Sequence, residues 1–244
     1  MKILSITTAT NHLSVALNDD DQVISEKNEQ DQRNHSEHLD PMIQDILTEN
    51  RLSLQDIDRF AVAIGPGSYT GLRIGITTVK MFASILEKEV VGISTLKSLA
   101  KGIDQKDSLI IAMLDARNDN YFAGGYFGQA LTNVIPDGHY HIDQLLEEIK
   151  KFSQENNIDQ VVFVGSGIDK HDELVQKLGL NYTYGSESQN ELHAGLIGKL
   201  AVNEEAIDPD KLLPRYLRRT QAEVDWHKRT GKPFAPDSDY VEEV

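Results

Sequence analysis

Three short stretches at the start of the chain, Lys2 to Thr8, His12 to Asn18 and Gln22 to Asn28, follow one another closely, with Asn11 and Asp19-Asp20-Asp21 at the turns. Connections that short predict an antiparallel meander of three strands. Leu39, Met42, Ile43, Ile46 and Leu47 then recur with the period of an amphipathic helix. Pro41 belongs near its beginning, either as the first helical residue after an Asp40 cap or as a slight kink in a helix begun at Ser36. Arg59 to Ile64 is a short apolar run bounded by Gly and Pro, the pattern of a strand covered on both faces. A helix from Thr70 to Leu86, a strand from Glu89 to Ile93 and a short helix from Thr95 to Lys101 complete the order βββαβαβα.

The second half repeats that order. Strands are predicted at Ser108 to Leu114, Asn120 to Phe127 and Leu131 to Ile135, then a helix from Asp143 to Asn156 and a strand from Gln160 to Val164. Gly165-Ser166-Gly167 turns that strand into a helix from Asp169 to Leu178. A strand at Asn181 to Tyr184 and a helix from Asn190 to Val202 follow. The repeat is one of element order, with no fixed sequence period. Two such α/β units make a duplicated actin-like, ribonuclease-H-like architecture, with halves at 1–104 and 105–205, a tail at 206–244, and a cleft between halves expected near Asp104 to Asp107.

At 244 residues with 39% hydrophobic content, the chain can bury a substantial core. No run approaches a membrane span, and the first residues read as a strand rather than an export signal, so neither export nor membrane insertion is expected. The absence of cysteine excludes disulfides, thiolate zinc sites and cysteine nucleophiles, and agrees with a cytoplasmic protein. A formal charge of −15 argues against binding nucleic acid through a broad basic face. Between Lys211 and Lys232, however, Lys211, Arg215, Arg218, Arg219, Lys228, Arg229 and Lys232 outnumber Glu223 and Asp225. That stretch reads either as a solvated tail or as an arm for RNA or an acidic partner, with Arg215, Arg218 and Arg219 as its candidates.

The densest local signal is Gly65-Pro66-Gly67-Ser68-Tyr69-Thr70-Gly71-Leu72-Arg73-Ile74-Gly75, which joins a strand to a helix. Ser68 or Thr70 can cap that helix, and its first N–H groups would welcome an anion or a partner's carboxylate. A Walker loop would need Gly-Lys-Ser/Thr where Leu72-Arg73 follows Gly71, and the dinucleotide fingerprint has the wrong glycine spacing. Two readings stay open: glycines for close helix packing, or a ligand cradle. Asp115, Arg117, Gly165 and Gly167 pose the same choice in the second half, between a remnant nucleotide cleft and a local ion pair beside turn glycines.

These segments occur in an order that resembles a known family. Lys2-Ile3-Leu4 with Leu13 to Leu17, His35-Ser36-Glu37, Gly65 to Gly75, Leu114-Asp115-Ala116-Arg117 and Pro214-Arg215-Tyr216-Leu217-Arg218 resemble the bacterial TsaB (YeaZ) family of tRNA threonylcarbamoyladenosine biosynthesis proteins. The resemblance runs from residue 1 to about 218. It implies a non-catalytic partner of a paralogous threonylcarbamoyl transferase (TsaD), joined by a P-loop ATPase (TsaE), in the complex that modifies the adenosine beside the anticodon. ATP or ADP and the metal are then expected on the partner subunits, tRNA is met only through the complex, and the isolated chain is expected to form a homodimer. The pairing face implied is that of the two first-half helices, with Leu39, Met42, Ile43, Ile46, Leu47, Arg73, Ile76 and Lys80 as contact candidates and Gly65, Gly67, Ser68, Thr70 and Gly71 fixing the register.

The residues support a non-catalytic role on their own. An actin-like ATPase needs an acid just after its first strand to place metal and phosphates, and here that position reads Thr7-Thr8-Ala9-Thr10. The family commonly has Asp-Thr-Ser there, so the chain departs from its relatives as well. His35 with His38, and His139 with His141 in an expected turn, read as surface histidines rather than metal ligands. Ser68 has no His nearby in sequence and lacks the Gly-x-Ser-x-Gly frame of a hydrolase. The alternative is an actin-like ATPase or kinase, or a peptidase-like hydrolase, acting alone; a nucleotide-binding assay separates it from the scaffold.

Overall fold

The computed structural model describes residues 1–30, 35–105, 107–218, 226 and 229–231. In the first half, β1 (Lys2–Thr7), β2 (His12–Asp19), β3 (Gln22–Gln30), β4 (Arg59–Gly65) and β5 (Glu89–Ser94) form one sheet in the order β3-β2-β1-β4-β5. The meander pairs antiparallel, with Leu4 opposite Leu17, whereas β4 and β5 join in parallel after their helical crossovers. These crossovers are α1 (His35–Glu49) and α2 (Tyr69–Leu86), followed by α3 (Thr95–Lys101). Pro41 lies inside α1, six residues from its start, so the helix begins before it, as the second option had it.

The second sheet holds β6 (Leu109–Asp115), β7 (Asn120–Phe127), β8 (Thr132–His141), β9 (Gln160–Gly165) and β10 (Asn181–Tyr184). Its order β8-β7-β6-β9-β10 reproduces that of the first sheet, giving the duplicated actin-like fold. Its helices are α4 (Ile142–Asn156), α5 (Asp172–Gln176) and α6 (Ala194–Ala201). α5 is shorter than expected, and Val175 is its one fully buried residue, with Leu174 partly buried against the same core. α6 starts late because Ser188–Asn190 forms a separate 3-10 turn, with the Asn190 amide oxygen accepting from Gly165 N at 2.9 Å. β8 extends past Ile135 through His139 and His141, which therefore sit in a strand paired to β7 and not in a turn; its polar sequence hid it.

Period-two alternation explains two hydrophobic clusters. Leu109, Ile111, Met113, Val161 and Phe163 point under α4, while Ile110, Ala112, Val162 and Val164 point the other way, into a core shared with the first half. α6 follows the second-half strands in sequence yet lies across β1, β2, β3, β4 and β5. Ser14 Oγ accepts from Ala194 N at 2.9 Å, and Asn18 Nδ2 donates to Gly195 O at 3.1 Å. The apolar face of the first sheet thus needs a helix from beyond residue 190, and a division of the halves at 104 and 205 does not follow the packing.

Candidate docking surface and interhalf cleft

The glycine turn is occupied by the chain itself. A Cβ at Gly67 would collide with the Ala9 carbonyl, one at Gly71 with the Thr8 carbonyl, and one at Gly75 would stand 2.6 Å from Thr8 Oγ1. At Gly65, φ is +120° and a Cβ would meet the Arg215 carbonyl at 2.5 Å. Close packing accounts for these glycines, and Gly67 and Gly71 also line the cavity described below. Ser68 caps α2, its hydroxyl accepting from Gly71 N at 3.2 Å, and Thr8 Oγ1 donates to Gly71 O at 2.6 Å. The threonine that follows β1, where an ATPase would place its acid, thereby anchors a helix.

The second half repeats this solution. Gly165 has φ +116°, and a Cβ there would collide with the Met113 carbonyl, while one at Gly167 would press on Asp115 Cβ at 3.2 Å. Asp115 pairs with Lys170 Nζ at 2.6 Å and accepts from the Arg117 backbone at 2.7 Å; the ion pair expected with the Arg117 side chain is replaced by Lys170. The Lys170 hydrogen bond, then that of the Arg117 N–H, holds the Asp115 carboxyl below its ordinary range. Tyr121 donates to Gly167 O at 2.8 Å, and burial pushes its hydroxyl pKa up to about 12. Between the two turns lies a cavity of about 470 Å³ lined by Thr10, His35, Ser68, Thr70, Asp115 and Ser166 among others. The interhalf cleft is therefore at the strand ends rather than near Asp104 to Asp107. His35 Nε2 donates to Thr10 O at 2.9 Å and His38 Nδ1 to Glu29 at 2.6 Å, so the two rings bond to separate acceptors.

The helix residues expected to face a partner divide in two. Leu39, Met42, Ile43, Ile46, Leu47 and Ile76 are buried in the chain's own core, Ile46 at 0% exposure, because the same period that marks a docking stripe also marks a core stripe. Arg73 is exposed, and half-exposed Lys80 reaches Asp210 O at 3.3 Å. What α2 does present is a ridge at intervals of four: Tyr69 (43% exposed), Arg73, Thr77, Met81 (48%) and Ile85 (72%). Beside it, Ile43, Leu47, Leu52, Leu54 and Phe82 line a groove of about 320 Å³. Tyr69, Met81 and Ile85 were missed at the sequence level; their signal was an apolar set on α2 too wide for one core stripe.

A match to the family profile described as "TsaD: tRNA N6-adenosine threonylcarbamoyltransferase" spans residues 22–226. The Bacillus subtilis tRNA threonylcarbamoyladenosine biosynthesis protein TsaB is 32% identical over 229 residues, covering 93% of this chain and 98% of that protein. The chain belongs to the TsaB family. The Escherichia coli TsaB is 36% identical over 182 residues, with 74% of this chain and 78% of that one covered. A Pseudomonas aeruginosa crystal structure, described as an uncharacterized protein with similarity to peptidase YEAZ, superposes with a TM-score of 0.73 at 26% identity, covering 89% of this chain and 99% of that one. As a TsaB-family member the chain is a protein of threonylcarbamoyladenosine biosynthesis.

This TsaB-family chain does not leave its basic C-terminal segment as a free tail. Leu212 is buried against Gly92, and Arg215 N donates to Ile64 O at 2.7 Å. The Arg215 guanidinium crosses to the second half and pairs with Asp137, a buried carboxylate that also accepts from Tyr126 Oη at 2.5 Å and Ser94 Oγ at 2.7 Å. Burial, then the Asp137 charge, raises the Tyr126 pKa. Arg218 donates to Ala116 O at 3.2 Å. Arg219 lies outside the described residues. Among the described residues no group of three or more His, Asp or Glu could hold a metal ion, and no helix is long and apolar enough to cross a membrane.

Proposed function

We propose that this chain is a non-catalytic scaffold in tRNA threonylcarbamoyladenosine synthesis, which docks the paralogous transferase through the outer face of α2. A P-loop ATPase joins the pair, ATP or ADP and the metal sit on those subunits, and tRNA is engaged only by the assembly, in the cytoplasm. Alone, two copies pair through the same face. The observation that carries this reading is the exposed ridge ending in Met81 and Ile85, apolar side chains left over after the core is complete. The transferase profile spans most of this chain, so the two proteins share an architecture and can meet helix against helix.

The test is reconstitution. Unmodified tRNA, transferase and ATPase are incubated with and without this chain, and modification is expected only when it is present, although alone it neither hydrolyses ATP nor transfers the group. Modification indifferent to the chain overturns the scaffold. Ile85→Glu, at a 72% exposed position, is expected to fold normally and to weaken transferase binding by about a hundredfold or more. Normal binding by folded Ile85→Glu and Met81→Glu removes the α2 face from consideration.

A further inference from the structure

The C-terminal segment ends its docked path on the proposed interface. Tyr216 lies on Tyr69 with ring centroids 4.9 Å apart and planes 24° from parallel. Its hydroxyl accepts from Arg73 Nε at 3.0 Å, and the Arg73 guanidinium carbon stands 4.2 Å from the Tyr69 ring centroid. Two aromatic rings and one hydrogen bond thus fix a guanidinium on the surface. Among the described residues neither Nη group of Arg73 is hydrogen-bonded and no carboxylate pairs with it, in a chain of formal charge −15. An exposed Arg held at Nε with both Nη groups unbonded is a fork set to receive a carboxylate.

The geometry points to a composite docking surface, in which Tyr216 of the C-terminal segment clamps Arg73 so that it receives a carboxylate from the partner, beside the apolar contact made by Met81 and Ile85. This rests on the scaffold reading and adds to it the partner's chemistry: an apolar helix face carrying Asp or Glu opposite Arg73. The occupant is the paralogous transferase, because the fork continues the α2 ridge without a break. Tyr216 is in turn held by its neighbours, since Arg215 is locked to Ile64 and Asp137 and Arg218 to Ala116. A segment that reads from sequence either as a solvated tail or as an arm for RNA or an acidic partner becomes a structural part of the interface. Phosphate would also suit an exposed Arg, but the chain's overall negative charge opposes RNA across most of its surface.

The experiment is calorimetric titration of the full chain and its variants with the cognate transferase, each variant first checked for an unchanged unfolding midpoint. Tyr216→Ala is expected to bind about tenfold more weakly, and Tyr216→Phe, which keeps the stack and loses the acceptor, about threefold. Arg73→Gln should weaken binding about tenfold and also flatten its dependence on salt, a change that lost packing alone would not produce. Should Ile85→Glu abolish binding while Tyr216→Ala and Arg73→Gln stay within about twofold of wild type, the clamp is wrong and the α2 interface stands. If Ile85→Glu and Met81→Glu have no effect either, the α2 interface on which the clamp rests fails with it, and the scaffold itself is judged by the reconstitution. If the Arg73 and Tyr216 variants lose affinity for unmodified tRNA but not for the transferase, the surface serves RNA and the proposal is overturned.

Discussion

The two halves solve one local problem identically and use the solution differently. At the end of β4 and again at the end of β9, a glycine with φ near +120° lets a strand turn under a neighbouring backbone, Arg215 in one case and Met113 in the other. After β4 the chain enters an 18-residue helix whose far side carries exposed tyrosine, methionine and isoleucine. After β9 it enters a 3-10 turn and a five-residue helix tied to its own half through Lys170–Asp115 and Tyr121–Gly167. A duplicated fold can thus keep the backbone device in both copies and leave an exposed apolar ridge, the proposed docking face, on only one. The second copy closes on itself.

Substitution of one glycine from each turn tests that comparison most severely. Gly165→Ala combines a collision with a backbone carbonyl and a strained φ, and should cost about 4 kcal/mol; Gly71→Ala has only the collision and should cost about 2 kcal/mol. Urea denaturation would measure both, and a silent Gly71→Ala would show that packing on Thr8 is not why glycine stands there. The next largest effect concerns the link between the halves: Asp137→Ala takes from the buried Tyr126 hydroxyl its short acceptor and from Arg215 its carboxylate, leaving each a weaker contact with Ser94, an expected loss of about 2 kcal/mol. Stability equal to wild type would mean that the C-terminal segment does not tie the halves.

A smaller effect is expected with pH at the seat of α6. His193 is raised above its ordinary 6.5 chiefly by its hydrogen bond with Glu26; burial would raise Glu26, but that bond and the Gly195 N–H hold it below 4.5. The His193 contribution is present below pH 6.5 and is lost as pH rises through the raised value. That of Glu26 is present above pH 4.5 and is lost as pH falls through the lowered value. The pair therefore supports the fold best between pH 4.5 and 6.5, by about 1 kcal/mol after allowing for its partial exposure. Thermal unfolding across pH should show this optimum diminish in Glu26→Gln, and an unchanged profile would refute the assignment. Least of all, Lys170→Met removes an exposed partner of Asp115 and should leave the midpoint where it was, so a clear drop would mean that the second turn depends on its ion pair.

Local patterning carried the elements well where burial and period agreed. Asn120 to Phe127 is the observed β7 to the residue, and α2 begins one position before Thr70 because Ser68 is its cap. It failed where the informative neighbour is remote in sequence. Nothing near Ala194 says that Asn18 awaits it, and nothing near Arg215 names Asp137. The exposed ridge was hidden for another reason: Leu39 to Leu47 and Tyr69 to Ile85 are both amphipathic, and only packing shows which stripe the core has already used.

The route of α6 has a consequence for synthesis of the chain. The last strand of the first sheet ends at Ser94 and the helix covering its face begins at Ala194, so the ribosome must add about a hundred residues between them. Through that interval the nascent sheet exposes a face containing Ser14, Ala16 and Asn18, with no native cover yet made. Translation of the second half is thus a waiting period for the first, and the chain reaches its native core only when its late segment returns to its early one.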